Sequence, residues 1–255
     1  HQVDPVTLYG ARVRVMRALL DDLRPADWGR RVTPYEWSVH ALVAHLLVIE
    51  RYTATRLGID APDVDGLDGR ADHHLTIGSA TIADELGREP EVTVAAWAVA
   101  ARRIVDLVTV PEARPDRPVR LHGWSFSLSS ALVARSLELW THADDIRRAV
   151  GRPTERPPAE QLRTISSFSV RGLPFLVQLR FPGAQVVPVR FVLTGEGGGT
   201  YDIGGEGEPV ALVALDTADF CRLVAQRARP RDLDVVREGD RRVIASLLDS
   251  DRKST

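Results

Sequence analysis

Lysine is almost missing from this 255-residue sequence: Lys253 is the only one, and the rest of the Lys+Arg total is arginine. An arginine bias this complete reflects GC-rich codon usage and a high-GC bacterial source, so it is not read as a recognition device. Cysteine is equally scarce. Cys221 stands alone, which excludes an internal disulfide and fits a reducing compartment. No stretch approaches the roughly 20 consecutive apolar residues that span a bilayer. His1 to Pro5 lack the charged and apolar blocks of a signal peptide, and His1 is left out of site reasoning. A formal net charge of −2 provides no broad field toward nucleic acid or an anionic membrane. These absences lead us to expect a cytoplasmic protein with no nucleic-acid or membrane partner, acting on a small molecule as a monomer or weak homodimer.

What is present suits a folded chain. Hydrophobic residues make up 44% and charged residues 27%, at a length that accommodates two modest domains. The first 150 residues read as helices. Val6 to Leu23 carries apolar residues near the helical period, and Ser38 is a suitable N-cap for a helix running to about Arg56. An Asp/Gly-rich loop follows to about Gly69. A third helical region spans roughly Ile77 to Val108, broken near Gly87 to Pro90. A fourth covers about Ser127 to Val150. Four long amphipathic helices predict an antiparallel bundle.

Gly151 to Pro158 is proline-rich and marks the boundary. We place a helical domain at 1–150, a linker at 151–159 and an α+β domain at 160–255. In the last of these, Val186 to Leu193, Tyr201 to Ile203 and Val210 to Leu215 are strand candidates. Ala218 to Arg227 and Asp240 to Leu248 read as helices, and short Gly-rich connections favour an antiparallel sheet.

The chemistry-bearing residues lie in the helical half. Glu138 and His142 are one helical turn apart on one face, so a carboxylate and an imidazole can reach one cation without distorting the backbone. Such a pair is also a common surface ion pair of little energy. Asp145, three residues further, is placed to partner His142 from behind. His45 shares its face with Ala41, Leu42, Val48, Ile49 and Tyr52, which must be buried. It is either a core histidine or a ligand opposite the Glu/His pair. In the second case three N and O ligands leave a fourth position open, as in catalytic zinc sites; zinc is favoured mildly over other divalent metals.

Two segments carry a family resemblance. Thr33-Pro-Tyr-Glu-Trp-Ser-Val-His-Ala-Leu-Val-Ala-His45-Leu resembles one signature of the DinB-like, mycothiol-dependent maleylpyruvate isomerase family. Arg135-Ser-Leu-Glu138-Leu-Trp-Thr-His142-Ala-Asp-Asp145 through Gly151-Arg-Pro resembles the second. The resemblance covers nearly the whole chain and implies a four-helix metal-binding bundle joined to a smaller domain similar to sterol carrier protein (SCP2-like). It further implies zinc at His45, Glu138 and His142, mycothiol as co-substrate, and an activity-supporting arginine whose match is Arg227. A surface cation near a helix end reads equally well for Arg227. His40 departs from the family, which often has an acidic residue there.

A zinc-held thiol loses its proton near neutral pH and attacks electrophilic carbon. Addition followed by bond rotation and departure gives cis–trans isomerisation, and retention of the thiol gives S-transfer. Two other readings remain: a metal-dependent natural-product or metabolic enzyme using no thiol, and a non-catalytic metal- or ligand-binding module. Several further signals are set aside. Cys221 sits mid-helix among apolar neighbours and reads as structural. Gly123-Trp-Ser-Phe-Ser fails the Gly-x-Ser-x-Gly pattern. Asp72, His73 and His74 read as a solvated helix start. Most tryptophans are packing residues, with Trp37 and Trp140 as pocket candidates.

Overall fold

A computed structural model describes residues 1–33, 35–62, 64 and 77–249. Asp72, His73 and His74 lie outside the described residues, as do Lys253 and residues 65–69 of the loop. The chain divides into two compact units, one comprising Pro5–Glu155 and the other His1–Asp4 with Arg156–Thr255.

The first unit is built on helices α1 (Pro5–Asp21), α2 (Val39–Arg56), α3 (Ser79–Leu86), α4 (Pro90–Thr109) and α5 (Leu128–Ala149). Helix α1 packs on α5 and α4, and α2 packs on α4 and α3. The expected Ser38 cap forms, its hydroxyl accepting the N–H of Ala41, and the Ser127 hydroxyl accepts that of Ser130 in the same way. Helix α2 is buried along nearly its whole length and on all sides from Val39 to Ala54, the mark of a central helix. It carries His45 and Glu50 into the interior.

Two small hairpins were not legible in the sequence. Strands β1 (Arg31–Val32) and β2 (Trp37–Ser38) pair ahead of α2, and β3 (Pro118–Leu121) and β4 (Trp124–Ser127) pair ahead of α5. The second turns on His122 and Gly123, both with positive φ, of 50° and 83°. Two consecutive residues of that kind make the tight turn whose twist matches the flanking strands. Past α5, Arg12 holds both carboxylate oxygens of Glu155 at 2.9 and 3.0 Å, and the Glu155 N–H donates to Asp144.

The second unit opens with α6 (Ala159–Arg180), followed by β5 (Val189–Thr194), β6 (Gly199–Ile203), β7 (Ala211–Asp216), α7 (Thr217–Val224), β8 (Val236–Gly239) and α8 (Arg241–Leu248). Val3 joins it by exchanging bonds with Thr164 of α6. The sheet order is β6-β5-β7-β8. Here the antiparallel expectation needs correcting in one pair: β5 with β6 and β7 with β8 are antiparallel, but β5 and β7 run parallel, so the sheet is mixed. The chain crosses back over the β5–β6 hairpin to add β7 on the far side of β5, and strand composition does not reveal that move. Alternating residues Val189, Phe191, Leu193, Ala211, Val213 and Leu215 are all buried. Cys221 of α7 is buried as expected, and desolvation pushes its thiol up to about 12, too high for a nucleophile at neutral pH. Among the described residues no helix is long and apolar enough to cross a membrane.

Candidate metal centre

Histidines from α2 and α5 meet inside the helical unit. The His45 and His142 ring centroids are 5.7 Å apart with planes 82° apart, and both side chains are buried. Two imidazoles binding one zinc through nitrogen at about 2.0–2.1 Å have centroids about 5–6 Å apart, so this pair has a suitable separation. His142 is also oriented from behind. Its Nδ1 lies 3.2 Å from Oδ2 of Asp145, which is 1% exposed. A carboxylate only accepts, so Nδ1 is the donor, and in the neutral ring Nε2 is the lone-pair nitrogen. This carboxylate–histidine pairing is the usual support of a metal-ligating imidazole. Arg148 donates to the other Asp145 oxygen at 3.4 Å.

The predicted third ligand is arranged differently. Glu138 lies one turn before His142 on α5, half-buried, and its Oε2 accepts from Nη1 of Arg135. Among the described residues no three His, Cys, Asp or Glu side chains converge as a ready cation cage. The structure therefore brings together the two histidines and Asp145, with Glu138 on the same helix held by an arginine.

That arginine belongs to a buried network absent from the sequence reading. Arg135 donates from Nη2 to Oε1 of Glu50 at 3.0 Å, and the Tyr9 hydroxyl donates to Oε2 of Glu50 at 2.9 Å. Tyr9 and Glu50 have no exposure and Arg135 has 4%. Burial, followed by the Glu50 charge, pushes the Tyr9 hydroxyl well above its usual pKa and keeps it a donor. Burial opposes the charge of Arg135, but Glu50 and then Glu138 outweigh it and raise its pKa. One guanidinium thus faces two carboxylates, Glu50 and Glu138. The fit to a divalent metal rests on donor type: two buried imidazoles facing each other, one of them backed by a carboxylate. The signal in the sequence was a charged residue on an otherwise apolar helix, Glu50 after Leu46-Leu47-Val48-Ile49.

Aromatic residues border the histidines. Trp37 lies with its ring centroid 4.9 Å from that of His45. Tyr35 stacks on Trp37 at 4.9 Å and reaches His142 at 6.1 Å. Trp37 is thus at the site as expected. Trp140 is buried, and its indole N–H donates to the Glu155 carbonyl. His40 is committed elsewhere. Its Nε2 is 2.9 Å from the Thr93 hydroxyl, which itself donates to Glu85 at 2.8 Å, so the imidazole is the donor. This buried relay ties α2, α3 and α4 together, and the Thr93 proton points away from the imidazole. It is therefore not an activated nucleophile.

Arg227 follows α7 in the second unit. Gln226 before it has a φ of 60°, the left-handed turn that ends the helix, and the Arg227 N–H donates to the Arg222 carbonyl. Its guanidinium donates to the Ala225 carbonyl at 3.0 Å.

Comparison with known proteins gives a consistent result. The model of the family described as Mycothiol maleylpyruvate isomerase N-terminal domain matches residues 9–147, more than half of the chain. Two uncharacterized proteins from different strains of Mycobacterium tuberculosis are each 28% identical over 241 residues, covering 91% of this chain and 91% of theirs. Among solved structures, a mycothiol-dependent maleylpyruvate isomerase matches with a TM-score of 0.60 at 19% identity, over 92% of both chains. A histidine-to-alanine mutant of the same isomerase matches with a TM-score of 0.58 at 17% identity, again over 92% of both. At these identities the likeness is one of fold.

Proposed function

The chain belongs to the family of the mycothiol maleylpyruvate isomerase N-terminal domain, and from that premise we propose that it is a metal-dependent enzyme that presents mycothiol to a small electrophilic substrate. The outcome is cis–trans isomerisation or thiol S-transfer. The observation that carries this reading is the His45–His142 pair at 5.7 Å with Asp145 fixing the His142 tautomer. In this proposal His45, Glu138 and His142 hold the ion, and zinc suits two imidazoles and a carboxylate. When bound, zinc supplies stabilisation of a thiolate near neutral pH.

The protein's own residues account for the remainder. Asp145 keeps the proton of His142 on Nδ1, so Nε2 is available as a donor of electrons. Tyr35 and Trp37 form an aromatic border that limits water around the histidines. In this reading Arg227 holds an anionic group of thiol or substrate, a role guanidinium geometry suits. Cys221, buried and protonated, takes no part, which fits a protein that recruits its thiol from outside.

The test is turnover of maleylpyruvate and related activated alkenes by the zinc-supplemented protein, with and without mycothiol. The expected result is turnover that requires the thiol. Full turnover with no thiol present overturns the proposal in favour of a thiol-independent metal enzyme. Bound metal and thiol without turnover of any such electrophile overturns it in favour of a binding module.

A further inference from the structure

Glu138 is the one proposed ligand that the structure holds in a salt bridge with a buried cation. Its partner Arg135 has 4% exposure and is itself fixed: Glu50 of α2 accepts from Nη2 at 3.0 Å, and Tyr9 of α1 secures the other Glu50 oxygen at 2.9 Å. Four side chains from three helices thus form one line, Tyr9–Glu50–Arg135–Glu138. Its first three members are buried and its last, Glu138, is half-exposed on the helix that carries His142. A buried ion pair is poor evidence of stabilisation by itself, because desolvation offsets most of the attraction. Its geometry, however, determines where its members point.

We infer that Arg135 is a positioning residue for metal binding, anchored by Glu50 and Tyr9 so that it fixes the Glu138 carboxylate and limits its charge. The inference rests on the reading of His45, Glu138 and His142 as the ligand set. The forked guanidinium is what allows one cation to hold two carboxylates in fixed directions, Nη2 toward Glu50 and Nη1 toward Glu138. A lysine at this position has charge but no fork, and leaves one of the two acids without its fixed partner. The Tyr9 hydroxyl bonds to Glu50, not to Glu138, and lies within electrostatic reach of Arg135. A change there reports on transmission along the line.

The experiment measures zinc affinity by chelator competition, and the visible spectrum of the cobalt(II)-loaded protein, for the native chain, Arg135→Lys, Tyr9→Phe and His142→Ala. Folding of each is checked by circular dichroism below its thermal midpoint. Arg135→Lys is expected to weaken zinc binding by about 10–100-fold, the usual cost of losing a partner that orients a ligand. Tyr9→Phe gives a smaller loss in the same direction, and both variants shift the cobalt bands. A merely structural role would lower the thermal midpoint but leave affinity and spectrum of the folded protein as in the native chain, which overturns the inference. Tighter zinc binding in either variant also overturns it, because Arg135 would then compete with the metal. If Arg135→Lys does not fold, Tyr9→Phe decides alone. A folded native chain that binds no zinc removes the ligand set itself, an outcome distinct from native binding that is lost in His142→Ala but indifferent to the other two.

Discussion

Glu50→Ala lowers the unfolding free energy of the helical unit by about 3–5 kcal/mol, measured by denaturant titration with chelator present. The size follows from what the substitution leaves behind. Glu50 has no exposure, and its two oxygens accept Arg135 and Tyr9. Without them a buried guanidinium loses its fully buried counter-ion and a buried hydroxyl loses its acceptor, while the missing side chain opens a cavity in the central helix. Glu50→Gln, which keeps the volume and one acceptor oxygen, costs less. A change below about 1 kcal/mol for Glu50→Ala contradicts the description of Glu50 as a buried carboxylate bonded through both oxygens.

The second large effect is expected at Asp145. Asp145→Asn keeps the shape of the side chain but removes the charge behind His142, and its amide can offer either a donor or an acceptor to Nδ1. The imidazole then loses its enforced tautomer and some basicity. Zinc affinity falls by about 10–100-fold by chelator competition, while the fold, judged by circular dichroism, is retained. Unchanged affinity means that the Asp145–His142 contact is only a helix-surface pair drawn inward, and that Nε2 of His142 is not a ligand. The chelator concentration must be controlled in both experiments, since bound metal adds its own stabilisation to the folded state.

The sequence was most informative where local chemistry dictates structure. Ser38 announced its helix because a hydroxyl at the N-cap satisfies a backbone donor at the exposed first turn. The i,i+4 and i,i+3 spacings placed Glu138, His142 and Asp145 on one face of α5, and the His142–Asp145 bond is formed. His45 was legible as buried through the apolar residues that share its face.

What was missed depends on contacts distant along the chain. Helix α6 went unread because Gly172 and Pro174 lie within it and its serines weaken the apolar period, although Leu162, Ile165 and Val170 are buried along it. Strand β8 has no buried residue and so no alternation to detect. The parallel β5–β7 pairing is decided by a crossover, which no single strand encodes. The Tyr9–Glu50–Arg135 network joins positions up to 126 residues apart, and each member alone looks like an ordinary polar residue on a helix. The indole of Trp140 donates to a backbone carbonyl beyond the helix, a partner that sequence pattern cannot assign.

The central claim is that His45, Glu138 and His142 hold one metal ion in the helical unit. The measurement that tests it most directly is the zinc content of the purified protein by mass spectrometry, after incubation with zinc and removal of the excess. A His142→Ala sample folded by circular dichroism is run beside it. One equivalent of zinc is expected in the native protein and none retained in His142→Ala. A folded native protein that retains no zinc, or a His142→Ala variant that retains as much as the native chain, contradicts it.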